Sequence, residues 1–396
     1  MIKKLTYYIF LFLCVNFFYA CSTDDEKVFP PETEDPYFVA VTNSLVLDRV
    51  SFAERLGASS EDAFINLLPD SEVKVEAIRY RTMNPQGVEV EASGIIAYPS
   101  SGTFRGVVVG QHYTISSNEE APSSSMATFE AALALFGYVV ICPDYLGFGS
   151  TVNLPSTYIH AESLGRVTVD MVFATREYME SSGMDIENEM YVVGYSQGGY
   201  SALAFQKMAE EQYMKEMPLR KVFAGGGPYD PAAMFDLFVG MDSVEYPSSI
   251  PFTVIGLDYG DNLNLNYTNL FQGSLLSNYF EWYVSKKYTM GQINRFLGTD
   301  KLSSFMHPDM FRDEMNDDFK KVYSSLQKNS LIDWKPKTTL ILVHGKKDMT
   351  VPFLNAQNAY DSFISKGCPV ELKTVDADHG DTAISFYLTV LLALAN

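Results

Sequence analysis

The chain is poor in the residues that hold metals. Its 396 residues include five histidines and four cysteines, and the histidines show no ligand-like spacing. That argues against a metallohydrolase, and no cofactor is implied. Basic residues are also scarce, 29 against 49 acidic ones, for a net charge of −20. Lys3 and Lys4 are the only charges in the first twenty residues, so the chain without them stands at −22. Such a surface repels phosphate backbones and anionic bilayers, which removes nucleic acid from the expected partners. Once Cys14 and Cys21 are assigned to the leader and its end, Cys142 and Cys368 remain and read as two unpaired thiols. The long apolar run from Leu5 to Ala20 is too short and wrongly flanked to span a membrane stably.

That run reads instead as a signal peptide over residues 1–20. Phe18-Tyr19-Ala20-Cys21 resembles a bacterial lipobox, in which the cysteine is lipidated and becomes the mature N-terminus. Residues 21–37 are acidic and contain Pro30, Pro31 and Pro36, the composition of a solvated tether. The acids after Cys21 resemble the export signal of surface lipoproteins in Bacteroidetes-type bacteria. The resemblance implies an exported lipoprotein of the outer membrane or cell surface, touching the membrane through its N-terminal lipid only.

What the chain has in quantity is apolar and aromatic material, 47% and 14% of residues, enough for a large core in residues 38–396. Residues 41–56 read as a helix. Residues 73–81 and 88–98 alternate apolar with polar side chains around the turn Asn84-Pro85-Gln86-Gly87, which predicts an antiparallel hairpin. Thereafter short apolar strands (106–110, 138–142, 190–195, 221–224, 339–344, 370–375) are separated by helical stretches (127–136, 160–180, 197–213, 352–366, 381–395). This rhythm predicts an α/β fold: a mostly parallel sheet with helices on both faces and the hairpin as an antiparallel edge. Residues 230–334 break it. They are dense in aromatics and methionines, and an insertion at the carboxyl edge of a sheet is expected to form a cap, here a helical one. Its aromatics are expected to serve both its own core and an acyl-binding surface.

Gly194-Tyr195-Ser196-Gln197-Gly198-Gly199 joins the strand ending at Tyr195 to the following helix. A serine on so sharp a turn has a strained backbone, and the glycines two residues before and after it avoid collision with a neighbouring strand and helix. The Gln197 N–H at the helix start points to where an oxyanion would form. A serine hydroxyl needs an imidazole to take its proton and a carboxylate to orient that imidazole. Of the histidines, His379 in Asp376-Ala377-Asp378-His379-Gly380 follows the last strand and comes after the serine in chain order; His344 ends a strand and reads as structural, and His307 falls in the insertion. Asp348, in the loop His344–Pro352, is the candidate acid, with Asp230 as the alternative.

Together these motifs resemble the α/β-hydrolase superfamily. Pro143-Asp144-Tyr145-Leu146-Gly147-Phe148-Gly149 and His160-Ala161-Glu162-Ser163 narrow the resemblance to a group similar to secretory lipases and bacterial lipase-like esterases. It implies hydrolysis of carboxylic esters through an acyl-enzyme, with Ser196 attacking, His379 moving the proton and Asp348 holding His379. It further implies a small-molecule ester substrate, a structural turn at Asp144–Gly149 and a helix start at His160 and Glu162. The motifs do not choose among triglyceride lipase, short-chain esterase and deacylase, and it is the hydrophobic insertion that favours a lipophilic acyl group. The second oxyanion donor is expected from the loop Gln111-His112-Tyr113-Thr114-Ile115, as the N–H of Tyr113 or Thr114, the latter preferred. Two alternatives share the fold. A serine peptidase of the prolyl-oligopeptidase type would need a propeller and a paired-glutamate anchor, and an inactive surface-binding module would have lost a triad residue, which this chain has not.

Overall fold

The computed structural model describes residues 37–57 and 68–395; the expected signal peptide, Cys21 and the expected tether up to Pro36 lie outside them. Nine strands form one sheet in the order β1-β2-β3-β5-β4-β6-β7-β8-β9. The first three, β1 (Phe38–Asp48), β2 (Glu72–Met83) and β3 (Glu89–Pro99), are antiparallel, and β3 also meets β5 (Val139–Pro143) antiparallel. From β5 onward, through β4 (Val107–Gln111), β6 (Met190–Tyr195), β7 (Leu219–Gly225), β8 (Leu340–Gly345) and β9 (Val370–Val375), every pairing is parallel. The hairpin β2–β3 holds one register from Val73↔Pro99 to Met83↔Glu89, closed by Asn84, whose side-chain oxygen accepts the N–H groups of Gln86 and Val88.

The helix expected over 41–56 is a strand over its first half. Val39, Val41, Thr42 and Val46 are β-branched, and β1 pairs with β2 from Phe38↔Tyr80 to Asp48↔Glu72, interrupted at Val39 and Thr42, so pairing overrides a weak helical periodicity. Only Arg49–Arg55 is helical (α1), started by Asp48, whose carboxylate accepts the Ser51 N–H at 2.7 Å. Of the helix expected over 127–136, only residues 130–136 are helical and they wind as 3₁₀, ended by Gly137 at φ 100°.

Helices α2 (Ala161–Ser181), α3 (Gln197–Gln212) and α9 (Leu354–Ser365) pack in the core on one side of the sheet, while α1, the 3₁₀ segment and α10 (His379–Ala395) pack in the other. Between β7 and β8 the chain leaves the sheet for the insertion, with helices α4 (Pro231–Met241), α5 (Ser249–Asp261), α6 (Gly273–Tyr279), α7 (Met290–Leu297) and α8 (Asp317–Lys328). Phe252, Phe271 and Tyr283 are buried within it. It is bound to the body at Tyr158, stacked on Phe252 with ring centroids 4.6 Å apart, and at Asp261, which meets His160 Nε2 at 3.3 Å. Burial alone would raise the pKa of Asp261, yet hydrogen bonds from His160, Lys328 and Ser325 hold it below the usual carboxylate range. His160 also caps α2 by accepting the Ser163 N–H. Cys142 and Cys368 are both unpaired and buried. No helix among the described residues is long and apolar enough to cross a membrane.

Candidate active site

Strand β6 delivers Ser196 to the carboxyl edge of the sheet, and the turn into α3 leaves that residue at φ 59°, ψ −124°. For a residue with a Cβ such a conformation costs about 1–3 kcal/mol and persists only where the surroundings enforce it. They do so through main-chain contact. The Ser196 N–H donates to Gly225 O at 2.8 Å. A methyl at Gly194 would stand 2.2 Å from Gly198 O, and one at Gly198 would stand 2.0 Å from Gln111 O on the neighbouring strand β4. A methyl at Gly199 would stand 2.5 Å from Gly225 O. Three glycines thus let β4, β6, β7 and α3 approach closely enough to hold the turn.

The loops after β8 and β9 bring the other two candidates to Ser196. They are laced by the Lys346 N–H on Val375 O (2.7 Å) and the Lys347 N–H on Ala377 O (3.1 Å). Gly345 allows the closest approach, since a methyl there would be 2.4 Å from Ala377 O. His379 Nε2 lies 3.0 Å from Ser196 Oγ, and His379 Nδ1 lies 2.6 Å from Asp348 Oδ2. The Asp348 side chain is wholly buried and that of His379 is 18% exposed. Asp348 Oδ1 accepts the Val351 N–H at 2.8 Å, leaving Oδ2 to the imidazole. A neutral His379 with its proton on Nδ1 therefore presents an unprotonated Nε2 to the serine hydroxyl.

Asp230 is engaged elsewhere. It caps α4, and its carboxylate accepts from Ser330 and Asn358. His307 accepts the Asp309 N–H inside the insertion. His344 is buried, its Nε2 2.8 Å from Val351 O and 3.5 Å from Asp348 Oδ2. Burial lowers its pKa, so the Nε2–H form donates to the Val351 carbonyl and lies alongside the acid. Two supports went unread in the sequence: this contact, and Tyr195, whose hydroxyl donates to His379 O at 2.6 Å. The first is local, between residues four apart in the loop after β8, and depends on how that loop bends; the second joins residues brought together by the fold. Asp144 accepts from Ser93 and from the Ser123 N–H and hydroxyl, which gives the Asp144–Gly149 turn its structural anchor.

Ser196, His379, Gln197, Tyr113 and Thr114 all line one cavity of about 770 Å³. Gln197 is the first residue of α3, and its N–H is among those a helix leaves without an internal partner. The rest of the wall is mainly apolar. Phe235, Phe238, Val254 and Leu326 of the insertion contribute to it, as do Ile384 and Leu388 of α10. The arrangement can activate a hydroxyl, receive a developing negative charge at a helix N-terminus and surround the reacting centre with hydrocarbon.

The model of the secretory lipase family matches residues 124–385, about two thirds of the chain. A secreted triacylglycerol lipase of Malassezia globosa is 25% identical over 291 residues, which cover 67% of this chain and 56% of that protein. The chain thus spans little more than half the length of that curated relative. The solved structure of LipA of Xanthomonas oryzae, described as a rice cell wall degrading esterase, superposes with a TM-score of 0.74 at 24% identity, covering 90% of this chain and 96% of that one. Lipase A of Candida antarctica superposes with a TM-score of 0.61 at 16% identity, covering 86% and 77%. The two structural likenesses establish the α/β-hydrolase fold.

Proposed function

The chain belongs to the secretory lipase family, and from that premise we propose that it hydrolyses carboxylic esters through an acyl-enzyme on Ser196. The observation that carries the proposal is the hydrogen-bonded line Ser196–His379–Asp348, whose first two members stand on the wall of an apolar cavity. Ser196 Oγ attacks the ester carbonyl carbon as His379 Nε2 takes its proton. Asp348 stabilises the imidazolium that results. The oxyanion accepts hydrogen bonds from the Gln197 N–H and from a second N–H in the Tyr113–Thr114 loop. Collapse of the tetrahedral intermediate expels the alcohol, protonated by His379, and leaves the acyl group on Ser196. Water then repeats the sequence, His379 first accepting its proton and then returning one to Ser196 as the acid departs.

The apolar wall favours a small-molecule ester with a lipophilic acyl group. The relatives named as a triacylglycerol lipase and an esterase support the same class. The test is hydrolysis of p-nitrophenyl esters from acetate to palmitate by protein beginning at Ser22, with Ser196→Ala as blank. Turnover that rises with chain length and vanishes in the blank is expected; turnover retained by the blank would point to another nucleophile. We further propose export and lipidation at Cys21. Cys21→Ser should then shift the protein from the membrane to the soluble fraction, and retention at the membrane would count against lipidation.

A further inference from the structure

We infer that His112 is the positioning residue that sets the second oxyanion donor, turning the Thr114 N–H, rather than that of Tyr113, toward Ser196. The inference rests on ester hydrolysis at Ser196. The loop in question leaves β4 after Gln111 and passes the first turn of α3. His112 is 2% exposed, and its ring lies against Tyr145 with centroids 4.1 Å apart. Tyr145 is itself fixed, at φ 63° and with its hydroxyl on Gln111 Oε1 at 3.0 Å. Burial pushes the His112 imidazole down to about 4, so at neutral pH it carries one N–H. Both ring nitrogens face carbonyl oxygens, Nδ1 at 2.6 Å from Tyr113 O and Nε2 at 3.4 Å from Asp144 O. The single proton belongs on the shorter contact, so Nδ1–H donates to the Tyr113 carbonyl.

A trans peptide is planar, with its C=O and N–H on opposite sides. Holding the Tyr113 carbonyl against the buried imidazole therefore directs the Thr114 N–H the other way. Thr114 lines the cavity beside Ser196 and Gln197, and its N–H has no acceptor among the described residues. The preceding peptide is turned oppositely. The His112 carbonyl oxygen lies toward α3, 3.0 Å from where a methyl on Gly198 would stand. The Tyr113 N–H of that same peptide consequently points away from the helix start, where Gln197 offers the other donor. One buried ring thus fixes the orientation of the peptide on which the second donor sits.

The test compares kcat and KM for a p-nitrophenyl ester and for its thionoester, in which sulfur replaces the carbonyl oxygen and accepts hydrogen bonds poorly. His112→Leu should lower oxoester kcat by about 10- to 100-fold with KM within about twofold, and should lower the oxoester-to-thionoester rate ratio in step. His112→Asn places an amide N–H where imidazole Nδ1 stands and should stay within about threefold of the unaltered protein, whereas His112→Gln reaches the Nε2 position and should behave as the leucine variant. If His112→Leu does not fold, the Asn and Gln pair decides. An unchanged rate ratio in the Gln or Leu variant, or equal losses in Asn and Gln, would overturn the inference and leave His112 as packing alone. Full turnover by Ser196→Ala would instead remove the premise of hydrolysis at Ser196.

Discussion

The turn at Ser196 and the insertion between β7 and β8 are built from different materials. At the turn, main chain meets main chain: Gly194 against Gly198, Gly198 against Gln111, Gly199 against Gly225. In the insertion, rings meet rings: Phe252 on Tyr158 and Tyr283, Tyr267 on Phe271, Trp282 on Phe296. Backbone contact tolerates no added methyl, whereas ring contact tolerates many residues of similar volume. The first region is suited to holding reacting atoms, and the second to tuning what is admitted to them.

Substitutions can break this contrast, beginning with chemistry at the turn. Ser196→Gly should reduce kcat by about 10⁶-fold while raising stability by about 1 kcal/mol, since glycine adopts φ 59° without strain; rate assays and urea melts measure the two effects separately. Asp348→Asn should leave the fold intact and reduce kcat by about 10⁴-fold, because an amide favours the wrong tautomer of His379. Gly198→Ala should destabilise by more than about 3 kcal/mol or prevent folding, since its methyl meets a backbone carbonyl and no side chain can swing away.

A smaller effect comes from the buried Glu130 beneath β4. Burial raises its pKa to about 7, against hydrogen bonds from Tyr387 and Thr128 that lower it. The folded state therefore keeps the proton that the unfolded chain releases above its ordinary value near 4.5. The stability this confers is present below about pH 4.5 and lost as pH rises through about 7. Glu130→Gln should flatten that slope and stabilise the protein at pH 8 by on the order of 2–3 kcal/mol, read as melting temperature against pH. Asp170, also raised to about 7 by burial, contributes with the same sign and should preserve part of the slope. The least effect belongs to the insertion. Gly240→Ala in α4, where nothing lies within 4 Å of the added methyl, should stabilise by about 0.5–1 kcal/mol. The same change that is intolerable at Gly198 is thus favourable here.

The contrast also explains what could be read from the sequence. Where backbones touch, glycine is compulsory, so Gly194, Gly198 and Gly199 mark the turn in plain text. The parallel strands are equally legible, because strands buried on both faces read as unbroken apolar runs. Asp348 follows one such strand, β8, and His379 follows the more exposed β9; the fold brings His379 within hydrogen-bond reach of both Asp348 and Ser196. Strand β1 was not legible, since half-exposed Val39 and Val41 acquire strand geometry from β2 rather than from their own pattern. The insertion was expected as a helical cap, and helices fill it, but the bounds of each helix could not be read, as aromatic residues fill volume at many spacings. Tyr195 supports the site through a contact between distant segments, which no local pattern encodes, whereas His344 does so inside its own loop, on Asp348 and Val351.

The measurement that tests catalysis at Ser196 most directly is labelling by a fluorophosphonate, with the adduct mapped by peptide mass spectrometry while ester hydrolysis is followed in the same sample. The expected result is a single equimolar adduct on Ser196, activity lost in proportion to labelling, and slow labelling in His379→Ala. An adduct on another residue, or full modification of Ser196 with hydrolysis intact, would contradict it.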